Sequence, residues 1–154
     1  MKTILVPLDL SAAAVRVCDA ACELAKLTGA RPILLHIVQP PPVMMSDVYA
    51  FDASQLGDLS AAAEKNAVQK LRALALHCAK QQVRVTTVQR TGVPVTAILA
   101  KARSTRARYI VMGTHGHGAM YDLLVGSTTH GVLMKSPCPV LIVPAADPRP
   151  RPAR

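Results

Sequence analysis

Gly113-Thr-His-Gly116, then nine residues, then Gly126-Ser127 is the spacing in this chain that could do chemistry. The apolar run Tyr109-Ile-Val-Met112 before it reads as a buried strand, and Ser127 to Lys135 reads as a helix. A glycine loop between a strand and a helix N-terminus is a way to cradle phosphate. Glycine lets backbone approach an oxyanion with no Cβ in the way and adopts the left-handed turns that aim N–H groups inward. The first helical turn adds unpaired N–H groups at the positive end of its dipole, and Ser127 adds a hydroxyl there. A single glycine pair would equally mark an ordinary turn. His115 and His117 lie inside the segment, but a metal would need further ligands that the segment does not supply. They read as loop residues near phosphate that add positive charge when protonated, not as catalysts.

The elements that must position this loop alternate strand and helix. Strands are expected over Thr3 to Leu8, Arg31 to Val38, Val83 to Arg90, Arg108 to Thr114 and Val140 to Val143. Helices are expected from about Ser11 to Leu27, Leu59 to Lys80 and Pro94 to Arg103, and after Gly126. Such alternation implies right-handed crossovers and a parallel sheet covered on both faces. Ser11 suits an N-cap, Gly29 a C-terminal stop and Pro94 a first helical turn. The proline-led segment from Gln39 to Phe51 is too long for a simple connector and reads as a lid or a contact surface.

The 154 residues suit one domain, and 51% hydrophobic content with mean hydropathy +0.28 argues against disorder. With only 3% aromatic residues, the core must be aliphatic and alanine-rich. No apolar run reaches the roughly 18 residues of a membrane span, and the opening Met1-Lys-Thr carries no signal-peptide pattern, so a cytoplasmic location is expected. Cys18, Cys22, Cys78 and Cys138 form no Cys-x-x-Cys pair and read as reduced. Cys18 and Cys22 share a helical face with Val15 and Ala25, which suits burial as small hydrophobes. His36, ending a strand, reads as a hydrogen-bonded residue of the sheet.

The formal net charge is +9, of which Arg149, Arg151 and Arg154 in the closing Pro/Arg segment supply three. Lys101, Arg103, Arg106 and Arg108 form a second basic cluster. That cluster could serve a polyanion, or could be a solvated helix end. With no nucleic-acid motif or aromatic platform beside it, nucleic acid is not the expected partner.

Taken together, Lys2-Thr-Ile-Leu-Val-Pro7-Leu-Asp9-Leu-Ser11, Ile33-Leu-Leu-His36-Ile37-Val38, Gly92-Val-Pro94, the glycine pattern and the closing Pro139-Val-Leu-Ile-Val-Pro144 resemble the nucleotide-binding branch of the universal stress protein family. The resemblance spans almost the whole chain. It implies a Rossmann-like fold of the adenine nucleotide alpha hydrolase type, with strand order 3-2-1-4-5, over residues 1–144; the Pro/Arg composition of 145–154 reads separately as an extended, mobile tail. In that order the loops after the first and fourth strands face one crevice, where open parallel sheets bind ligands. The resemblance assigns Pro7, Leu8 and Asp9 to the nucleoside end and Ile37 to the adenine surface. It assigns Met112 and Gly113 to the base and ribose side, and Gly116, Gly126, Ser127 and Thr128 to the phosphates. Asp9 could instead cap the following helix. Two positions depart from the family pattern: Thr128 where an aliphatic residue is common, and Gly131 where a long polar residue is common.

The resemblance implies ATP, or ADP or AMP, as the cofactor, with Mg or Mn as the accompanying ion. It also implies a homodimer through the last strand, and a nucleotide state that biases an unidentified protein partner. Binding is expected to outweigh turnover, because the phosphate loop offers donors without a carboxylate to orient water. The alternatives are a slow ATP hydrolase or phosphotransferase working through Asp9 and a divalent ion, and a scaffold that binds polyanions through the basic cluster.

Overall fold

The computed structural model describes residues 2–39, 53–114 and 125–144, with side chains 53–60 excepted. Within it the elements run β1 (Thr3–Pro7), α1 (Ala14–Thr28), β2 (Arg31–Val38), α2 (Ala53–Lys80), β3 (Thr86–Thr91), α3 (Pro94–Ser104), β4 (Tyr109–Gly113), α4 (Ser127–Lys135) and β5 (Val140–Val143). The five strands form one parallel sheet in the order β3-β2-β1-β4-β5. The expected fold class and strand order are both present. The proline-led segment from 40 to 52 and the tail from 145 lie outside the described residues.

Alternation along the strands divides the core in two, because successive side chains point to opposite faces of a sheet. Ile4, Val6, Leu34 and Val111 pack on one face against Val17, Cys18, Ala21 and Cys22 of α1 and Leu71, Leu74 and Cys78 of α2. Leu5, Leu35, Ile110 and Met112 pack on the other against Ile98, Leu99 and Ala102 of α3 and Val132 of α4. Strands buried on both faces need apolar residues at consecutive positions, and Ile4, Leu5 and Val6 are fully buried.

Several sequence-based boundaries move, each for a local reason. Helix α1 begins at Ala14 behind an Ala13 N-cap, not at Ser11. Leu10 adopts a left-handed φ of 60°, the Asp9 carboxylate accepts the Ser11 N–H at 3.0 Å, and the Ala14 N–H donates to the Ser11 carbonyl at 3.0 Å, so the chain turns before the helix starts. Ser11 Oγ is buried and has no hydrogen-bond partner among the described residues. Helix α2 begins at Ala53, six residues ahead of the expected Leu59. Residues 61–66 are all exposed, and the first buried residue described in this helix is Ala67. Strand β3 begins at Thr86 instead of Val83, whose N–H is used to close the α2 turn on the Cys78 carbonyl. Val15, expected on the buried face of α1, is 41% exposed. Gly29 does stop α1 in the left-handed conformation, and Pro94 does open α3.

Candidate functional site

At the carboxyl end of the sheet, where the order reverses between β1 and β4, the chain encloses a cavity of about 150 Å³. Its walls come from the end of β1, the start of α1, the end of β2, α3, the end of β4 and the first turn of α4. Of the residues singled out from the sequence, Pro7, Leu8, Asp9, Ile37, Met112, Gly113 and Thr128 line it together. Gly126 and Ser127 sit directly beside it at the start of α4 but are not part of its lining. Gly116, His115 and His117 lie outside the described residues. The lining also includes Ala13, Ala14, Val17, Leu35, Gln39, Pro94, Ile98 and Thr129. Most of these are apolar helix or strand residues with no distinguishing sequence signal. Thr129 had one, since it extends the Gly126-Ser-Thr-Thr run.

Each wall is held by its own bonds. The Leu8 N–H donates to the Leu35 carbonyl at 2.8 Å, and Nδ1 of His36 donates to the Leu8 carbonyl at 2.9 Å. A carbonyl only accepts, so the His36 proton lies on Nδ1. His36 is thus a hydrogen-bonded residue of the sheet, paired with Gln89 in the ladder, whose side chain also fixes the loop after β1. Asp9 is exposed, and its carboxylate shapes the same loop by capping Ser11, so it caps a turn and not the helix. On the opposite wall, the Thr129 hydroxyl donates to the Gly113 carbonyl at 2.9 Å, and the Gly126 N–H donates to the Thr114 carbonyl at 2.8 Å.

Gly113 and Gly126 do not play the conformational part expected of them. Gly126 has φ −57° and ψ 155°, open to any residue, and Gly113 is absent from the positive-φ positions, which among described glycines are Gly29 and Gly92. What remains for Gly113 and Gly126 is close approach, where a missing Cβ leaves backbone accessible. In α4 the first N–H bonded back into the helix is that of His130, to the Gly126 carbonyl at 2.9 Å. The amides of Ser127, Thr128 and Thr129 thus form the positive end of the helix beside the cavity. Gly126 supplies no side-chain cap to occupy them.

Chemically the site pairs an apolar slot with a polar rim. The slot, walled by Leu8, Val17, Leu35, Ile37, Ile98 and Met112, is of a size that accepts an aromatic ring. The rim is the Asp9 carboxylate on one side and the Thr128 and Thr129 first turn on the other. No Lys or Arg lines the cavity among the described residues, so an anion there would be held by amides and hydroxyls.

The cysteines lie away from this site. Cys18, Cys22 and Cys78 are buried between α1 and α2, where burial pushes the Cys22 thiol up to about 12. A hydrogen bond with Cys18, then burial, raises the Cys78 thiol as well. Beside them His77 Nε2 donates to the Asp19 carboxylate at 2.6 Å, and Gln81 Nε2 donates to the same oxygen at 2.6 Å. Among the described residues no helix is long and apolar enough to cross a membrane.

Comparison with known proteins places this architecture. The model of the universal stress protein family matches residues 1–144. A universal stress protein of Thermus aquaticus is 33% identical over 142 residues, covering 92% of this chain and 98% of that protein. The solved universal stress protein UspA of Lactobacillus plantarum superposes with a TM-score of 0.80 at 26% identity, covering 92% of this chain and 97% of the other. A universal stress protein of Archaeoglobus fulgidus, solved in complex with dAMP, shares the fold with a TM-score of 0.67 at 20% identity, covering 92% and 97%. With a family model spanning nearly its whole length and the fold to match, the chain belongs to the universal stress protein family.

Proposed function

We propose that this chain is an adenine-nucleotide-binding universal stress protein that takes ATP, or ADP or AMP, at the crevice between β1 and β4. The observation that carries the reading is the convergence of Pro7, Leu8, Asp9, Ile37, Met112, Gly113 and Thr128 on one cavity beside the N-terminus of α4. An apolar slot suits a base, Asp9 suits the nucleoside end, and first-turn amides with the hydroxyls of Ser127 and Thr128 suit phosphate. A Mg or Mn ion would travel with the phosphates. The dAMP complex of the Archaeoglobus protein supports the ligand class. In this reading residues 1–144 form the nucleotide-binding unit, and the bound state biases an interaction with a protein partner.

Binding, not turnover, is the proposed activity. Asp9 is the one carboxylate among the described lining residues, and it is already engaged with the Ser11 N–H. A slow hydrolase would show turnover above background that disappears in Asp9→Asn.

Calorimetry against ATP tests the reading. Because Gly126 adopts an ordinary φ, Gly126→Val folds, and its branched side chain intrudes where phosphate must meet backbone, so ATP binding is lost. Ser127→Ala weakens ATP by about 1 to 2 kcal/mol and leaves adenosine unchanged. A folded Gly126→Val variant with wild-type ATP affinity would remove the loop from the site.

A further inference from the structure

The end of the sheet opposite the crevice carries a different chemistry. Between Glu64 and Asp122 the sequence contains no Asp or Glu, and ten Lys or Arg. The parallel topology gathers part of this charge with earlier cations into one line. Lys2 immediately precedes β1, Arg31 opens β2, Arg84 lies two residues ahead of β3 and Arg108 immediately ahead of β4. The Arg31 N–H donates to the Lys2 carbonyl at 2.9 Å, and the Arg108 N–H donates to the Thr3 carbonyl at 2.8 Å. Ile33 pairs with Thr86, so Arg84 continues the same level beside Arg31. In strand order the row reads Arg84, Arg31, Lys2, Arg108, and all four residues are exposed.

Helix dipoles account for only part of the charge at this end of the sheet, where α1, α2 and α3 also finish. Cations in the last turns of helices, such as Lys26, Lys80, Lys101 and Arg103, sit where C-terminal carbonyls favour positive charge. The four residues of the row lie outside the helices, at strand starts. Nor do carboxylates neutralise them: among the described residues the ion pair present is His77 with Asp19. Arg108 is further steadied by its guanidinium, 6.0 Å over the Tyr109 ring.

We propose that this basic edge is a docking surface for the sugar-phosphate backbone of duplex DNA, independent of base sequence and of the nucleotide crevice. Adjacent strands lie about 4.8 Å apart, so a row of four spans roughly 14 Å. A duplex presents one phosphate per ~1.7 Å of axis from its two strands together, so each of four cations on long side chains has a phosphate within reach over that length. A single strand is disfavoured, because binding it calls for exposed aromatic rings, and the ring at this edge, Tyr109, already has Arg108 over it. The row offers charge to phosphates and no helix to a groove, so base identity goes unread.

Fluorescence anisotropy of the full chain with a labelled 20-base-pair duplex, titrated at 50 and 200 mM NaCl, tests this. Four phosphate contacts give a log–log salt slope of about −3.6, an affinity loss of about 100-fold across that range. The triple variant Arg31→Gln, Arg84→Gln, Arg108→Gln retains about one contact, and its salt dependence shrinks to roughly 3- to 4-fold. Scrambling the duplex changes neither result. Should the triple variant not fold, Arg84→Gln alone, at an exposed position outside any strand, reduces the slope by about one. A triple variant with the wild-type slope would overturn the proposal and move binding to other cations, such as Arg149, Arg151 and Arg154. Absence of duplex binding at 50 mM NaCl, or binding to phosphatidylserine vesicles without binding to duplex, would overturn it equally.

Discussion

The Thr129 hydroxyl donates a 2.9 Å hydrogen bond to the Gly113 carbonyl, fastening the first turn of α4 to the last residue of β4. Thr129 is 5% exposed, so this bond is shielded from competing water. Through it the two halves of the glycine pattern, far apart along the chain, are held in one place. Thr129→Val keeps the shape and removes the donor, leaving the Gly113 carbonyl short of a partner at a cost of about 1 to 2 kcal/mol. Thr129→Ser keeps the donor and recovers part of the loss. Urea unfolding of the three proteins measures both effects, and equal stability of Thr129→Val and wild type would show that the bond is not needed.

Gly131 is required by packing. A Cβ placed there would stand 2.8 Å from Val95 Cγ2 and 3.3 Å from Cγ1, so α3 and α4 approach closely through a missing side chain. Gly131→Ala improves helix propensity by about 1 kcal/mol but forces a stiff β-branched neighbour to move, which costs about 1 to 3 kcal/mol. The single variant is therefore less stable than wild type. In a Val95→Ala background the same substitution becomes neutral or stabilising, and a double-mutant cycle by thermal unfolding checks the reversal.

The last strand, β5, lies at the sheet edge beside β4 and exposes Leu141 at 43%. An uncharged apolar edge is either blunted or paired, and the family resemblance favours pairing across a two-fold axis. Ile142 packs partly against the core, whereas Leu141 does not, so Leu141→Lys perturbs the edge with less harm to the fold. Sedimentation of the wild type at micromolar concentration is expected to give a dimer, and Leu141→Lys a monomer. A monomeric wild type would end this proposal.

Alkaline stability reports the buried thiols. The Cys22 thiol is raised from 9.0 to about 12, chiefly by burial, so between those values the unfolded chain has released a proton that the folded chain keeps. Stability must then fall as pH rises above about 9, by up to ~1.4 kcal/mol per pH unit for that thiol. Cys22→Ala removes this contribution, and denaturation at pH 8 and 10.5 separates the two proteins. Identical pH dependence would show that Cys22 does not titrate above its ordinary range.

The sequence by itself determined the architecture, because it is written in local terms. Apolar runs such as Ile4-Leu5-Val6, punctuation at Gly29 and Pro94, and a regular strand–helix alternation are signals each segment carries alone. Pro7, Leu8, Asp9, Ile37, Met112, Gly113 and Thr128 of the cavity lining were legible for a related reason: loops after parallel strands must meet at the carboxyl end, so Asp9 and Gly113 were bound to be neighbours. Tertiary structure decided the rest. Whether Asp9 caps a helix or a turn depends on the left-handed Leu10, and the conformation of Gly126 on its bond to Thr114. The start of α2 also differed from the sequence expectation, at Ala53 instead of Leu59. Neither the need for glycine at 131 nor the alignment of Arg84, Arg31, Lys2 and Arg108 could be read from the chain, since both arise where segments distant in sequence are brought side by side.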